Sequence, residues 1–88
     1  MGAIEQAIHE KLQILAPVNL ELLDESGQHV GHEGAQGGGG HYRLLIVSAH
    51  FDGKTRIERH RMVYRALGEL MQHSVHALAI QAYTPAEL

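Results

Sequence analysis

Hydrophobic and polar residues alternate with two different periods in the first quarter of the chain. Between positions 3 and 15, apolar residues recur three or four places apart, and this spacing predicts an amphipathic helix. Pro17 limits that helix, because proline cannot continue one. From 18 to 23 apolar and polar residues alternate, which predicts a half-buried strand that ends at the turn-forming residues 24–27.

A glycine-rich segment separates this strand from the next one. Residues 26–41 contain seven of the ten glycines, four of them consecutive, and they also contain histidines. Such a composition predicts a flexible loop rather than a regular element. Residues 42–48 are then apolar and β-prone, which predicts a central strand, antiparallel to the first.

The second half of the chain changes from a helical period to a β-prone composition. Residues 54–72 have apolar positions at helical spacing, as one long helix or two helical pieces, and 75–83 predict a third strand that can lie parallel to a neighbour. An 88-residue chain is too short for two domains. We therefore expect residues 1–88 to form a single α+β domain, with a three-stranded mixed sheet and helices on one face.

Composition excludes several classes of protein. The longest apolar run, 44–47, is far shorter than a membrane span, so no membrane contact is expected, and a first segment without leader features favours a cytoplasmic protein. Eight histidines and no cysteine exclude disulfides. Because no serine, cysteine or carboxylate constellation suggests catalysis, the chain is predicted not to be an enzyme.

Charge is distributed unevenly along the chain. The net charge is −3, yet the segment 54–65 carries +4. Its basic residues are candidates for contacts with DNA phosphates or with an acidic partner, although a solvated helix face is the most common role of such a segment. They are Lys54, Arg56, Arg59, Arg61 and Arg65.

Four sequence motifs resemble those of the BolA family. They lie, in the family's order, at 24–26 (Asp-Glu-Ser), 48–54 (Ser-Ala-His-Phe-Asp-Gly-Lys), 59–64 (Arg-His-Arg-Met-Val-Tyr) and 75–80 (Val-His-Ala-Leu-Ala-Ile). The resemblance implies an α-β-β-α-α-β domain similar to the type II K-homology fold. It also implies a non-enzymatic partner of monothiol glutaredoxins in iron–sulfur cluster trafficking or iron homeostasis, while some bacterial members are described as DNA-binding transcriptional regulators.

The resemblance also implies metal ligands for a 2Fe–2S cluster shared with a glutaredoxin. His76 matches the histidine at the start of the last strand, and His29 matches the loop histidine of the histidine-loop subgroup, with His41 and His32 as competing candidates in the same loop. The remaining ligands would be a glutaredoxin cysteine and a glutathione thiol. Because 2Fe–2S irons usually require thiolates, a chain without cysteine holds only half of such a site.

The other four histidines are predicted to have structural or surface roles. His60 is expected to be packed on the apolar face of its helix, between Ile57 and Tyr64, whereas His9, His50 and His73 are expected at the surface. Folding is predicted to need no metal, because the sheet and helices supply an apolar core. The free chain is expected to be a monomer.

Overall fold

The fold is built from three helices and a three-stranded sheet, and the computed structural model describes residues 2–25 and 40–88. The elements in chain order are α1 (Ala3–Leu12), β1 (Asn19–Asp24), β2 (Gly40–Val47), α2 (Arg56–Leu67), α3 (Leu70–His73) and β3 (Val75–Tyr83). Short 3-10 turns follow α1, β2 and β3. None of the described helices is long and apolar enough to span a membrane.

The sheet has the order β1-β2-β3, with β1 antiparallel and β3 parallel to β2. This confirms the mixed sheet that the sequence predicts. The predicted loop 26–41 is wrong at its end, because β2 already begins at Gly40, whose N–H donates to the carbonyl of Ser74 at 2.9 Å. The rest of that loop, residues 26–39, lies outside the described residues.

The predicted helical region 54–72 is two helices. Thr55 caps α2, because its hydroxyl accepts from the Glu58 N–H while the Glu58 carboxylate accepts from the Thr55 N–H. Both bonds lower the pKa of Glu58, and the bond to the backbone of Thr55 has the larger effect. Gly68 ends α2 at a φ of +55°, where residues with a Cβ are strained, and α3 follows after Glu69.

Helices cover one face of the sheet. Alternate residues of β2 point towards the helices, since successive side chains of a strand point to opposite faces. The core consists of buried apolar residues from both layers, namely Ile8, Leu12, Leu15, Tyr42, Leu44, Ile46, Phe51, Val63, Leu67, Val75 and Ile80. The opposite face of the sheet has no helix among the described residues.

The apolar face predicted for α2 is partly wrong. Val63 and Leu67 are fully buried, but Ile57 is 64% exposed and Tyr64 is 41% exposed. His60 is half-buried rather than packed in the core between them. The physical reason is that only one side of a helix packs against the sheet, and spacing alone does not identify which of the neighbouring apolar positions on α2 belong to that side.

Candidate functional site

A β-bulge lies at the start of β3 and contains His76. Gly40 is opposite Val75 and His41 is opposite Ala77, so His76 is an extra residue on β3. Val75 and Ile80 are both buried although they are five places apart, a separation that in a regular strand places two side chains on opposite faces. The bulge resolves this conflict, and it leaves His76 exposed.

The bulge brings His76 next to His41. The centroids of the two imidazole rings are 5.0 Å apart and the rings are tilted by 42°. His41 lies on the face of β2 that carries no helix, because its neighbours Gly40 and Tyr42 are buried on the other face. The structure therefore brings together two of the four histidines that the sequence singles out as candidate ligands.

The separation of His41 and His76 is suited to a shared metal ion. An imidazole nitrogen binds a metal at about 2 Å, so that two rings on one tetrahedral metal have centroids about 5 Å apart. The observed separation is 5.0 Å. Among residues 2–25 and 40–88, no group of three or more histidine, cysteine, aspartate or glutamate residues could hold a metal. This pair could therefore hold two positions on a metal ion, and further ligands would come from outside the described ranges or from a second molecule.

Local packing fixes the position of His41. A Cβ added to Gly40 would lie 2.7 Å from the Oη of Tyr42, so the Tyr42 ring covers the glycine. Burial of this phenol is the main cause that raises the pKa of Tyr42, and the negative charges of Asp24 and Glu5 raise it further. On the β1 side, the Glu25 N–H donates to the carbonyl of His41 at 2.8 Å. The backbone of His41 is thus held between both neighbouring strands.

One exposed ion pair borders this region. The Arg43 Nε lies 3.2 Å from the Glu25 carboxylate, with 57% of the arginine side chain exposed. Such a pair contributes little to stability. It places one positive and one negative group beside the histidines.

The other two candidate ligands, His29 and His32, lie outside the described residues. Of the remaining histidines, His50 and His73 are exposed as predicted. His9 is half-buried on α1.

The basic residues of 54–65 fall into two groups. Arg56, Arg61 and Arg65 are exposed on α2, and Lys54 is exposed just before it. Arg59 differs, because its side chain is only 12% exposed and binds Glu87. Arg59 is therefore engaged within the domain, whereas the other four basic side chains face solvent.

The Glu87 contact is a feature that the sequence pattern does not predict. The local signal Thr84-Pro85-Ala86-Glu87 is typical of a capped turn, with a proline at its first position, and the Thr84 N–H does donate to Glu87 at 2.7 Å. However, nothing local connects this turn to Arg59, which is 28 positions away.

Comparisons with known proteins agree with this architecture. BolA-like protein 1 of Mus musculus is 48% identical over 87 residues, covering 98% of this chain and 61% of the mouse protein. The DNA-binding transcriptional regulator BolA of Escherichia coli K12 is 40% identical over 82 residues, covering 92% of this chain and 75% of that protein. The BolA domain of SufE1 from Arabidopsis thaliana has a similar structure, with a TM-score of 0.86, 44% identity, and coverage of 100% of this chain and 99% of that chain.

The chain spans about three fifths of the length of the mammalian relatives it matches. Residues 12–87 match the family of BolA-like proteins. With this match, and with the identity to the mouse and bacterial proteins, the chain belongs to the BolA-like protein family.

Proposed function

We propose that this chain is a non-enzymatic binding module that pairs with a monothiol glutaredoxin and contributes two histidines to a shared 2Fe–2S cluster. Its role would be iron–sulfur cluster trafficking or iron homeostasis. The observation that carries the proposal is the pair of imidazoles, His41 and His76, with ring centroids 5.0 Å apart.

The composition of the chain supports a shared site rather than a self-contained one. The chain has no cysteine, and its described residues contain no larger cluster of metal-ligating side chains. A 2Fe–2S cluster needs four ligands, two on each iron, and two histidines can replace the two thiolates of one iron. Two imidazoles would then require two thiolates from elsewhere, which a glutaredoxin cysteine and glutathione can supply.

Three histidines are candidates for the second position beside His76, namely His29, His41 and His32, and a specific argument favours each of the first two. The family resemblance favours His29, whereas contact in the structure favours His41. His41 is on a strand held by hydrogen bonds on both sides, so that little conformational entropy would be lost when it binds. The two candidates predict different results for single substitutions.

The test is titration of the chain with a cluster-loaded monothiol glutaredoxin, followed by visible absorption and NMR. A stable heterodimer is expected, with a visible spectrum that changes in His76→Ala. Loss of the same spectral feature in His41→Ala or in His29→Ala identifies the second ligand. His50→Ala, which removes an exposed histidine elsewhere, is the matched control. A spectrum that is the same in wild type and His76→Ala refutes the ligand assignment.

A second candidate function is DNA binding through the exposed basic residues. Lys54, Arg61 and Arg65 line one shallow depression, with Glu58 as the acidic residue among its lining. The Escherichia coli relative is named a DNA-binding transcriptional regulator. Phosphate contacts of this kind weaken as salt rises. Binding of duplex DNA that Arg61→Glu and Arg65→Glu weaken at physiological salt would support this function, and absence of binding there would exclude it.

The cytoplasmic location expected for this chain stays a prediction. Two Arabidopsis thaliana relatives are named as chloroplastic or as chloroplastic and mitochondrial proteins. Relatives in the family are named as regulators or as BolA-like proteins, in agreement with a binding module.

A further inference from the structure

A groove of about 580 Å³ lies between the first half of α2 and the last half of β3. It is at the end of β3 far from His76, and it uses none of the candidate metal ligands. Among the described residues, its lining consists of 80–83 of β3, the basic residues Lys54, Arg56 and Arg59, and His60 and Glu87. The proposed cluster site leaves this groove without a role.

One wall of the groove is an open sheet edge. Because the sheet order is β1-β2-β3, β3 has a neighbouring strand on one side only within the described part of the chain. The carbonyl of Tyr83 accepts from Ser48 on the β2 side, whereas the carbonyl of Ala82 accepts from Arg59 on the other side. Along a strand, the N–H and C=O of one residue point to one edge and those of the next residue to the other edge. The open edge therefore also receives the N–H and C=O of Ile80 and the N–H of Ala82.

The opposite wall is positively charged. Lys54 and Arg56 are exposed, and His60 is half-buried beside them. Arg59 is paired with Glu87, so this pair adds no net charge to the groove. Among residues 2–25 and 40–88, backbone groups of Ile80 and Ala82 lack a strand partner on one wall, and Lys54 and Arg56 lack a carboxylate partner on the other. Both walls are complementary to an extended peptide with acidic side chains.

The groove is less suited to a nucleic acid. Single-stranded nucleic acids are usually bound on aromatic side chains that stack with bases, and among the described residues of the lining only Tyr83 and His60 carry an aromatic ring. A peptide backbone, by contrast, uses the hydrogen-bonding groups that β3 presents.

We propose that the groove binds an acidic, extended segment of a partner protein, which adds to β3 as a further strand at Ile80–Ala82. Its acidic side chains contact Lys54 and Arg56. A strand advances about 3.3 Å per residue, so the section of β3 that lines the groove matches a segment of about four residues. The proposal does not depend on the cluster site.

The test uses a fluorescein-labelled, end-capped hexapeptide of alternating valine and glutamate, with fluorescence anisotropy and NMR as readouts. Binding is expected to shift the amide signals of Ile80 and Ala82 and to slow their hydrogen exchange. The charge reversal Arg56→Glu is expected to weaken binding at least about tenfold, because it replaces attraction by repulsion. Arg65→Glu is the matched control, since Arg65 is exposed on the same helix outside the groove.

Several outcomes overturn the proposal. One is the absence of binding at millimolar peptide, and another is equal weakening by Arg56→Glu and Arg65→Glu, which indicates non-specific attraction. A hexapeptide with proline in the middle lacks a backbone donor, so equally tight binding of that peptide contradicts strand addition. Perturbation of the same amides by a single-stranded oligonucleotide, but not by the acidic peptide, assigns the groove to nucleic acid. His76→Ala should bind the peptide as tightly as wild type does, which separates this test from that of the cluster site.

Discussion

Arg59 and Glu87 form two parallel hydrogen bonds, with Nη1 to Oε1 at 2.6 Å and Nη2 to Oε2 at 3.0 Å. The same guanidinium donates from Nε to the carbonyl of Lys54 and from Nη1 to that of Ala82. One side chain therefore joins α2, the preceding loop, β3 and the turn after it. Hydrogen bonding by Arg59 is the main cause that lowers the pKa of Glu87 from 4.5 to about 2, and it raises the pKa of Arg59.

The first prediction concerns the acid dependence of stability. A carboxylate with a pKa lowered in the folded state stabilises that state above its ordinary pKa, and the contribution is lost as pH falls through the folded value. For Glu87 this interval extends from pH 4.5 down to about 2. Glu87→Gln should therefore lower the free energy of unfolding at pH 7, and the difference from wild type should shrink across this interval. Urea unfolding at a series of pH values measures it.

Glu10→Gln is the matched control for this experiment, since Glu10 is an exposed glutamate on α1. It should leave the stability at pH 7 nearly unchanged. A Glu87→Gln variant whose deficit is the same at pH 7 and at pH 2 would show that the ion pair is not the source of the effect.

Most of the secondary structure can be predicted from the sequence, because its signals are local. Pro17, the alternation in 18–23 and the β-prone segment 75–83 each identify an element within a few residues of its observed bounds. Contacts between residues that are far apart in the sequence cannot be predicted in this way. The bulge at His76 and the approach of His41 depend on the register of β3 against β2, for which a single sequence has no local signal.

The candidate ligands show the same division. His76 can be selected from the family motif, but its contact with His41 comes from the extra residue in the strand. Likewise, the basic segment 54–65 is evident in the sequence, whereas the engagement of Arg59 by Glu87 depends on how β3 and its following turn return to α2.

The second prediction tests which side of α2 packs against the sheet. Leu67 is fully buried and Ile57 is 64% exposed on the same helix. Leu67→Ala should destabilise the fold by about 2–5 kcal/mol, because it leaves a cavity in the core. Ile57→Ala should change stability by less than about 0.5 kcal/mol. Urea unfolding of both variants provides the comparison, and equal losses would mean that Ile57 is packed as closely as Leu67.

The third prediction concerns Gly40, whose added Cβ would lie 2.7 Å from the Cζ and Oη atoms of Tyr42. Gly40→Ala should force the ring to move and cost about 1–3 kcal/mol, as overpacking does. It should also weaken the nuclear Overhauser effects between the His41 and His76 rings. In a Tyr42→Leu background the cost of Gly40→Ala should be smaller, which a double-mutant cycle measures. Equal costs in both backgrounds would exclude the ring as the obstacle.

The fourth prediction is that the fold forms without metal. Its core is made of buried apolar side chains from α1, α2, β2 and β3, and partly buried side chains of β1 pack against it. The described ranges contain no metal-ligating cluster larger than a pair. His76 is exposed, so His76→Ala should change the free energy of unfolding by less than about 0.5 kcal/mol. A chelator should likewise leave the urea midpoint of the purified chain unchanged.

This fourth measurement determines how the cluster experiment can be interpreted. If His76→Ala retains wild-type stability, any loss of the shared cluster results from the missing imidazole and not from unfolding. A chelator that lowers the midpoint of wild type but not of His76→Ala would instead show that metal bound at this histidine stabilises the fold. Because the chelator lowers the wild-type midpoint in the second case and leaves it unchanged in the first, one set of unfolding curves separates a site that serves a partner from a site that serves the fold.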